Sequence, residues 1–322
     1  MASLLSVENL QVQFQTKKGI NTAVDGVSFS VEKGRILGIV GESGCGKSVT
    51  SMSILQLLGS NARISGGSIK QDGKELIGLP EKEMCRIRGN DIAMIFQDPM
   101  TALNPTLTIG TQLMEPIMLH QNCGKKEAWT RAVDVLKRVG IAAPEKRMKE
   151  YPHQLSGGMR QRVMIAMAVS CEPRLLIADE PTTALDVTIQ AQILELMCEL
   201  REKMGTAIML ITHDMGVVAE TADDVLVLYA GKAVEYGSIE DIFERPKHPY
   251  TQGLLNSIPR LDEDVELLNT IEGTVPAPDA MPAGCRFAPR CPYGKDRCMK
   301  EKPGVYHAGN SLVSCFRYEG EK

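Results

Sequence analysis

The chain has 322 residues, 43% of them apolar and 24% charged, a balance that excludes extensive disorder and leaves room for two domains. Lys and Arg total 36 against 40 Asp and Glu, so the formal charge of −4 argues against broad attraction to nucleic acid or to an acidic membrane surface. No stretch approaches the about 18 uninterrupted apolar residues that cross a bilayer, and the N-terminus lacks the basic start and apolar core of a secretion signal, so a cytoplasmic chain is expected.

Residues 5–31 alternate apolar and polar side chains around the turn signal Lys17-Lys18-Gly19, which predicts an antiparallel β subdomain with Phe14 as its notable aromatic. The apolar run at 36–40 reads as a buried strand. It leads into Gly41-Glu42-Ser43-Gly44-Cys45-Gly46-Lys47-Ser48, which fits G-x-x-x-x-G-K-S, and helical spacing from Val49 to residue 58 follows. In such a loop backbone N–H groups wrap nucleotide phosphates, Lys47 reaches the outer ones and Ser48 offers its hydroxyl to magnesium. The following helix N-terminus adds its dipole.

From about 98 to 170 the text turns helical, with helices predicted at 111–120, 126–139 and 160–170. Gln97 stands where sheet gives way to this insert, so its amide suits magnesium or water. Leu155-Ser156-Gly157-Gly158-Met159 opens the third helix and forms a second phosphate-binding helix start. Residues 175–179 form an apolar strand that ends in Asp179-Glu180, at the edge where a parallel sheet presents functional groups. Asp179 suits magnesium. Glu180 suits the polarisation of an attacking water for in-line displacement at the γ-phosphorus. A helix at 188–203 leads to a strand at 207–213, whose terminal His213 suits a hydrogen bond to the γ-phosphate. One phosphate needs only one cradle, so two cradles imply a head-to-tail pair in which ATP lies between the loop of one subunit and the Ser156 turn of the other.

Charged and proline-rich text at 261–282 marks a boundary, giving domains 1–258 and 259–322. Beyond it Cys285, Cys291, Cys298 and Cys315 fall within 31 residues, whereas Cys45, Cys85, Cys123, Cys171 and Cys198 are scattered. Four thiolates complete a site for one tetrahedral zinc or one iron–sulfur cluster, but the spacing lacks close C-x2-C pairs, and unligated cysteines stay an open alternative.

With these motifs in this order, the chain resembles the ATP-binding cassette (ABC) ATPases over about residues 5–258. The resemblance implies an α/β phosphate-loop NTPase fold: a mixed sheet core, an antiparallel β subdomain, a helical subdomain at about 98–170 and a small cysteine-containing C-terminal extension. It implies ATP and Mg2+ as ligands, Phe14 stacking on adenine, and Gly41, Ser43, Gly44, Cys45, Gly46, Lys47, Ser48 and Val49 around the phosphates. Gln97, Asp179 and Ser48 would serve magnesium, Ser156, Gly157 and Gly158 would form the signature turn, and Asp186 the loop facing the other subunit. Glu180, His213 and Gln97 would serve catalysis. Met159 departs from the glutamine of many members.

Closer similarity is to the oligopeptide and dipeptide importer branch, carried by Phe96-Gln-Asp-Pro-Met-Thr-Ala-Leu-Asn-Pro105, Tyr151-Pro-His-Gln-Leu-Ser-Gly-Gly158 and His248-Pro-Tyr-Thr-Gln-Gly-Leu-Leu255. This resemblance implies a heterodimer with a second related ATPase, two membrane permeases, an external solute-binding protein, peptide as the transported substrate and no nucleic acid. It also implies a peripheral place on the cytoplasmic face of the inner membrane, and a [4Fe–4S] cluster at the four tail cysteines, with zinc as the alternative. Nickel and some sugar importers share much of this sequence. A soluble cassette ATPase usually carries a long coiled coil or two tandem cassettes, and this chain has neither.

Overall fold

The structure is a computed structural model that describes residues 3–17, 19–182, 186–258 and 270–320. These form two compact units, one comprising Val31–Arg35 and Gly78–Ile211 and the other the remaining described residues.

In the first unit the strands Ile92–Ile95, Leu175–Asp179 and Ala207–Ile211 run parallel, with Ile95 opposite Ala178 and Asp179 opposite Ile211. The latter two strands are buried at every residue. Continuous apolar runs of this kind are what a sheet covered on both faces requires. The predicted helices appear as Ile109–Gln121, Lys125–Arg138, Gly157–Val169 and Val187–Met204. Three of them begin where a side-chain oxygen accepts an orphan amide: Thr108 from Thr111, Ser156 from Met159 and Asp186 from Ile189. These caps set the helix starts one to three residues earlier than apolar spacing alone suggests.

In the second unit, Ser3–Thr16 and Gly19–Glu32 are long neighbouring strands of a four-stranded sheet, as the 5–31 alternation predicts. Ala62–Gln71 pairs antiparallel with the first of them, from Leu5 opposite Gln71 to Phe14 opposite Ala62. The buried strand Ile36–Val40 runs parallel to Asp224–Tyr229, which turns back into Lys232–Ser238. The helix after the phosphate loop is Lys47–Ile54, shorter than its spacing suggests. Gln56 adopts a left-handed φ of 50° and the Leu57 N–H returns to the Met52 carbonyl at 2.8 Å, which closes the helix end.

The tail is bound into this unit by strand pairing. Ser311–Val313 pairs antiparallel with Lys232–Ser238, with Glu235 opposite Val313, and Tyr306–Ala308 adds beyond it. A buried aromatic group seals the join. Tyr229, Tyr250 and Phe287 meet with ring centroids 4.7 to 5.4 Å apart in tilted and edge-on geometry.

Candidate functional site

The phosphate loop leaves the carboxyl end of Ile36–Val40 and enters the helix Lys47–Ile54. Gly41 has φ 149°, and a Cβ there would lie 2.1 Å from the Leu228 carbonyl, so only glycine fits beneath the loop. Lys47 is buried, and its ammonium donates to the carbonyls of Gly41 at 2.7 Å and Glu42 at 3.2 Å. The loop therefore holds the cation over its own mouth. An arriving triphosphate competes with these neutral carbonyls for the ammonium, and the charge favours phosphate. Ser43 and Gly44 at the loop crest are exposed, Cys45 and Gly46 are buried, and Ser48 and Val49 are half-buried.

Ser43 and Gly44 also border a groove of about 1010 Å³, whose other walls are residues 16–17, 19–23 and Ala230 and the tail residues 275–278, Met281 and Arg286. Phe14 does not line this groove. It borders a neighbouring cleft of about 130 Å³ with Ile20, Asn61 and Arg63, on the side where it pairs with Ala62. His213 is exposed just beyond the Ala207–Ile211 strand, and Asp214 caps the next helix by accepting the amides of Gly216 and Val217.

In the first unit, Gln97 and Glu180 lie two residues and one residue beyond the ends of neighbouring parallel strands. Adjacent parallel strands deliver their C-terminal side chains to one edge, and the Gln97 amide donates to the Glu180 carboxylate at 2.7 Å. Glu180 has φ 48°, and its N–H bonds the Ile211 carbonyl at 2.8 Å. A left-handed glutamate is held against local preference, a form of strain concentrated at functional positions. Asp179 is almost fully buried at its strand end.

Ser156 and Asp186 are exposed caps of two helices that approach closely, since a Cβ on Gly158 would lie 3.2 Å from the Ile189 side chain. The Gln161 amide, on the helix that Ser156 caps, donates to the Pro181 carbonyl directly after the acidic pair. A path of contacts thus joins the signature turn to Glu180 within one unit.

The four tail cysteines line one cavity of about 80 Å³ together with His248, Phe287 and Phe316. Burial pushes the Cys285 thiol up to about 11, and it raises Cys291 and Cys315 as well, with the neighbouring thiols adding to each. Among the described residues no group of three or more His, Cys, Asp or Glu side chains is close enough to hold a metal ion. The four cysteines share one cavity, while the grouping that a bound metal ion requires is not found among the described residues.

Several residues of this region escaped sequence reasoning. The Glu42 N–H donates to the Tyr250 hydroxyl at 3.0 Å, and the Glu42 carboxylate receives Arg290 from the tail at 3.0 Å on both oxygens. Arg286 donates to the Ala230 carbonyl and pairs with Asp25 at 3.1 Å. These partners lie up to 261 positions apart, and no local pattern marks such pairs.

The glycine loop with its buried lysine in one unit, and separately the glutamine-held glutamate at a parallel sheet edge in the other, are each features of phosphate-loop nucleotide hydrolases. The ABC transporter family pattern matches residues 24–183, and the pattern described as the oligopeptide/dipeptide transporter C-terminal region matches residues 234–298. The chain is 56% identical to the oligopeptide transport ATP-binding protein AppD of Bacillus subtilis, over all of this chain and 98% of that one. It is 52% identical to the oligopeptide transport ATP-binding protein OppD of Escherichia coli, over 98% of this chain and 93% of that one. The dimeric structure of the bacterial ABC transporter cassette MJ0796 superposes with a TM-score of 0.66 at 27% identity, over 73% of this chain and 98% of that one. The chain belongs to the ABC transporter ATPases, in the branch with the oligopeptide/dipeptide transporter C-terminal region, and it is an ATPase. Among the described residues no helix is long and apolar enough to cross a membrane.

Proposed function

We propose that this ATPase powers the import of dipeptides or oligopeptides through two partner permeases supplied by an external solute-binding protein, from the cytoplasmic face of the inner membrane. The observation that carries the reading is the tandem of patterns, a transporter cassette followed by the region described as the oligopeptide/dipeptide transporter C-terminal region. Full-length relatives above 50% identity whose names specify oligopeptide or dipeptide transport support it.

Glu180 accepts a proton from the attacking water, held in orientation by the Gln97 amide, while Lys47 and the loop amides take the charge growing on the transferred phosphoryl group. Magnesium would be held by Ser48, Asp179 and Gln97, and when bound it would supply positive charge against the phosphates. Ser156, with the Gly157 and Gly158 amides, supplies charge-binding groups to the nucleotide of a second, related cassette, and Asp186 faces the same partner. Two exposed cap residues at helix starts in one chain, Ser156 and Asp186, fit that arrangement. His213 contacts the γ-phosphate.

The resemblance to the peptide-importer tail is what favours a [4Fe–4S] cluster, for which Cys285, Cys291, Cys298 and Cys315, all lining one cavity with Phe287 and Phe316, would be the thiolate ligands, with zinc as the alternative. Held by these four thiolates, such a cluster would pin the tail, and the cysteines would give up their thiol protons on binding it.

The test is reconstitution of the chain with its partner cassette and permeases in vesicles, with ATP turnover measured against peptides, nickel and sugars. Stimulation by peptides is expected. Stimulation by nickel or a sugar alone would reassign the substrate. Anaerobic purification tests the cluster: a brown protein with iron and sulfide is expected, and a colourless protein retaining zinc would overturn it.

A further inference from the structure

We propose that Arg290 is a positioning residue for the phosphate loop, which neutralises Glu42 so that ATP affinity depends on the seating of the cysteine-bearing tail. Glu42 is the second residue of the glycine loop, and it carries a full negative charge where a triphosphate must come. Left uncompensated, that carboxylate opposes the incoming anion.

Arg290 answers it directly. One guanidinium nitrogen lies 3.0 Å from each Glu42 oxygen; the Arg290 side chain is 6% exposed and the Glu42 side chain 27%, so water screens the pair only from the carboxylate's side. The rest of the guanidinium is fixed by two tail carbonyls and by Tyr229 of the cassette sheet. It donates to the carbonyls of Glu272 at 3.0 Å and Ile271 at 3.3 Å, and it lies over the Tyr229 ring at 5.7 Å from the centroid. A planar fork held at several points cannot follow the loop; the loop follows it.

The backbone of Glu42 is held as well, by the Tyr250 hydroxyl, while its carbonyl accepts from Lys47. A shift of Glu42 therefore shifts an acceptor of the phosphate-binding ammonium. Arg290 is followed at once by Cys291, which lines the four-cysteine cavity. A tail that is unseated at its cysteines withdraws Arg290 and exposes the Glu42 charge to ATP.

The test measures MgATP affinity and steady-state turnover of the full chain, with folding verified by circular dichroism. Arg290→Gln keeps bulk and hydrogen-bonding capacity but removes the charge. It is expected to raise Kd and KM for MgATP by about tenfold with kcat changed far less. Adding Glu42→Gln to Arg290→Gln removes the unpaired carboxylate and is expected to restore affinity to within about threefold of the parent. An Arg290→Gln chain that binds MgATP as tightly as the parent overturns the proposal. So does a double variant that stays as weak as Arg290→Gln alone, since that outcome assigns Arg290 a packing role. Should Arg290→Gln not fold, Arg290→Lys retains the charge: affinity within about threefold of the parent supports neutralisation, and a loss of about tenfold with intact folding overturns it.

Discussion

The Gln97 side-chain amide donates to the Glu180 carboxylate at 2.7 Å, although the two residues are 83 positions apart. The contact joins the entrance of the helical insert to the candidate base, so any movement of Gln97 reorients Glu180. Glu180→Gln is expected to retain MgATP binding and to lose turnover by about a hundredfold or more. Binding by calorimetry beside phosphate release checks both halves; near-normal hydrolysis removes Glu180 as the base.

The Lys47 ammonium donates to the Gly41 and Glu42 carbonyls and to the Cys45 sulfur, all within its own loop, so its charge is available to the phosphates of ATP. Lys47→Ala is expected to weaken MgATP binding itself by about a hundredfold, in contrast to Glu180→Gln. Titration with a fluorescent nucleotide separates the two variants. Equal affinity in the Lys47 variant and the parent contradicts the assignment.

Ser156 has two tasks that can be measured apart. Its hydroxyl caps the helix Gly157–Val169, so Ser156→Ala is expected to cost about 1 kcal/mol of stability. In the paired assembly it also loses a contact to the partner's nucleotide, and turnover is expected to fall by about tenfold or more. Full turnover in the variant, at a specific rate independent of protein concentration, would remove the shared site.

His248 is fully buried and its Nδ1 accepts the Tyr250 N–H at 3.0 Å, so the native ring is neutral, and burial lowers its pKa to about 3 from the ordinary 6.5. Between these values the unfolded chain binds the proton that the native chain refuses. Its contribution is complete above pH 6.5 and is lost as pH falls toward 3, by about 2 kcal/mol between pH 6.5 and 5. His248→Asn keeps a capping acceptor without titrating. Thermal melts at pH 7 and pH 5 are expected to show a larger drop for the parent than for the variant, and equal drops would place the proton elsewhere.

Much of the fold was legible because its signals are local. The apolar runs at 36–40, 175–179 and 207–211 became buried parallel strands, and the helices of the insert appeared within three residues of their expected starts. Helix ends were less legible. The early stop after Ile54 depends on Gln56 entering the left-handed region, which its residue type does not announce. Phe14 illustrates another limit: alternation assigned it to a strand, but strand pairing decided that it borders a different cleft from Ser43 and Gly44.

The sequence alone determined the chemistry, because a phosphate loop, an acidic pair after a strand and a serine–glycine helix start are each written within a few consecutive residues. Which side chains then touch was decided only by the tertiary structure. Gln97 meets Glu180 because two strands distant in sequence pair in register, and Arg290 meets Glu42 because a tail strand joins the sheet beside the loop. Such contacts arise from backbone hydrogen bonding and burial summed over whole elements, and no short stretch of sequence carries that sum.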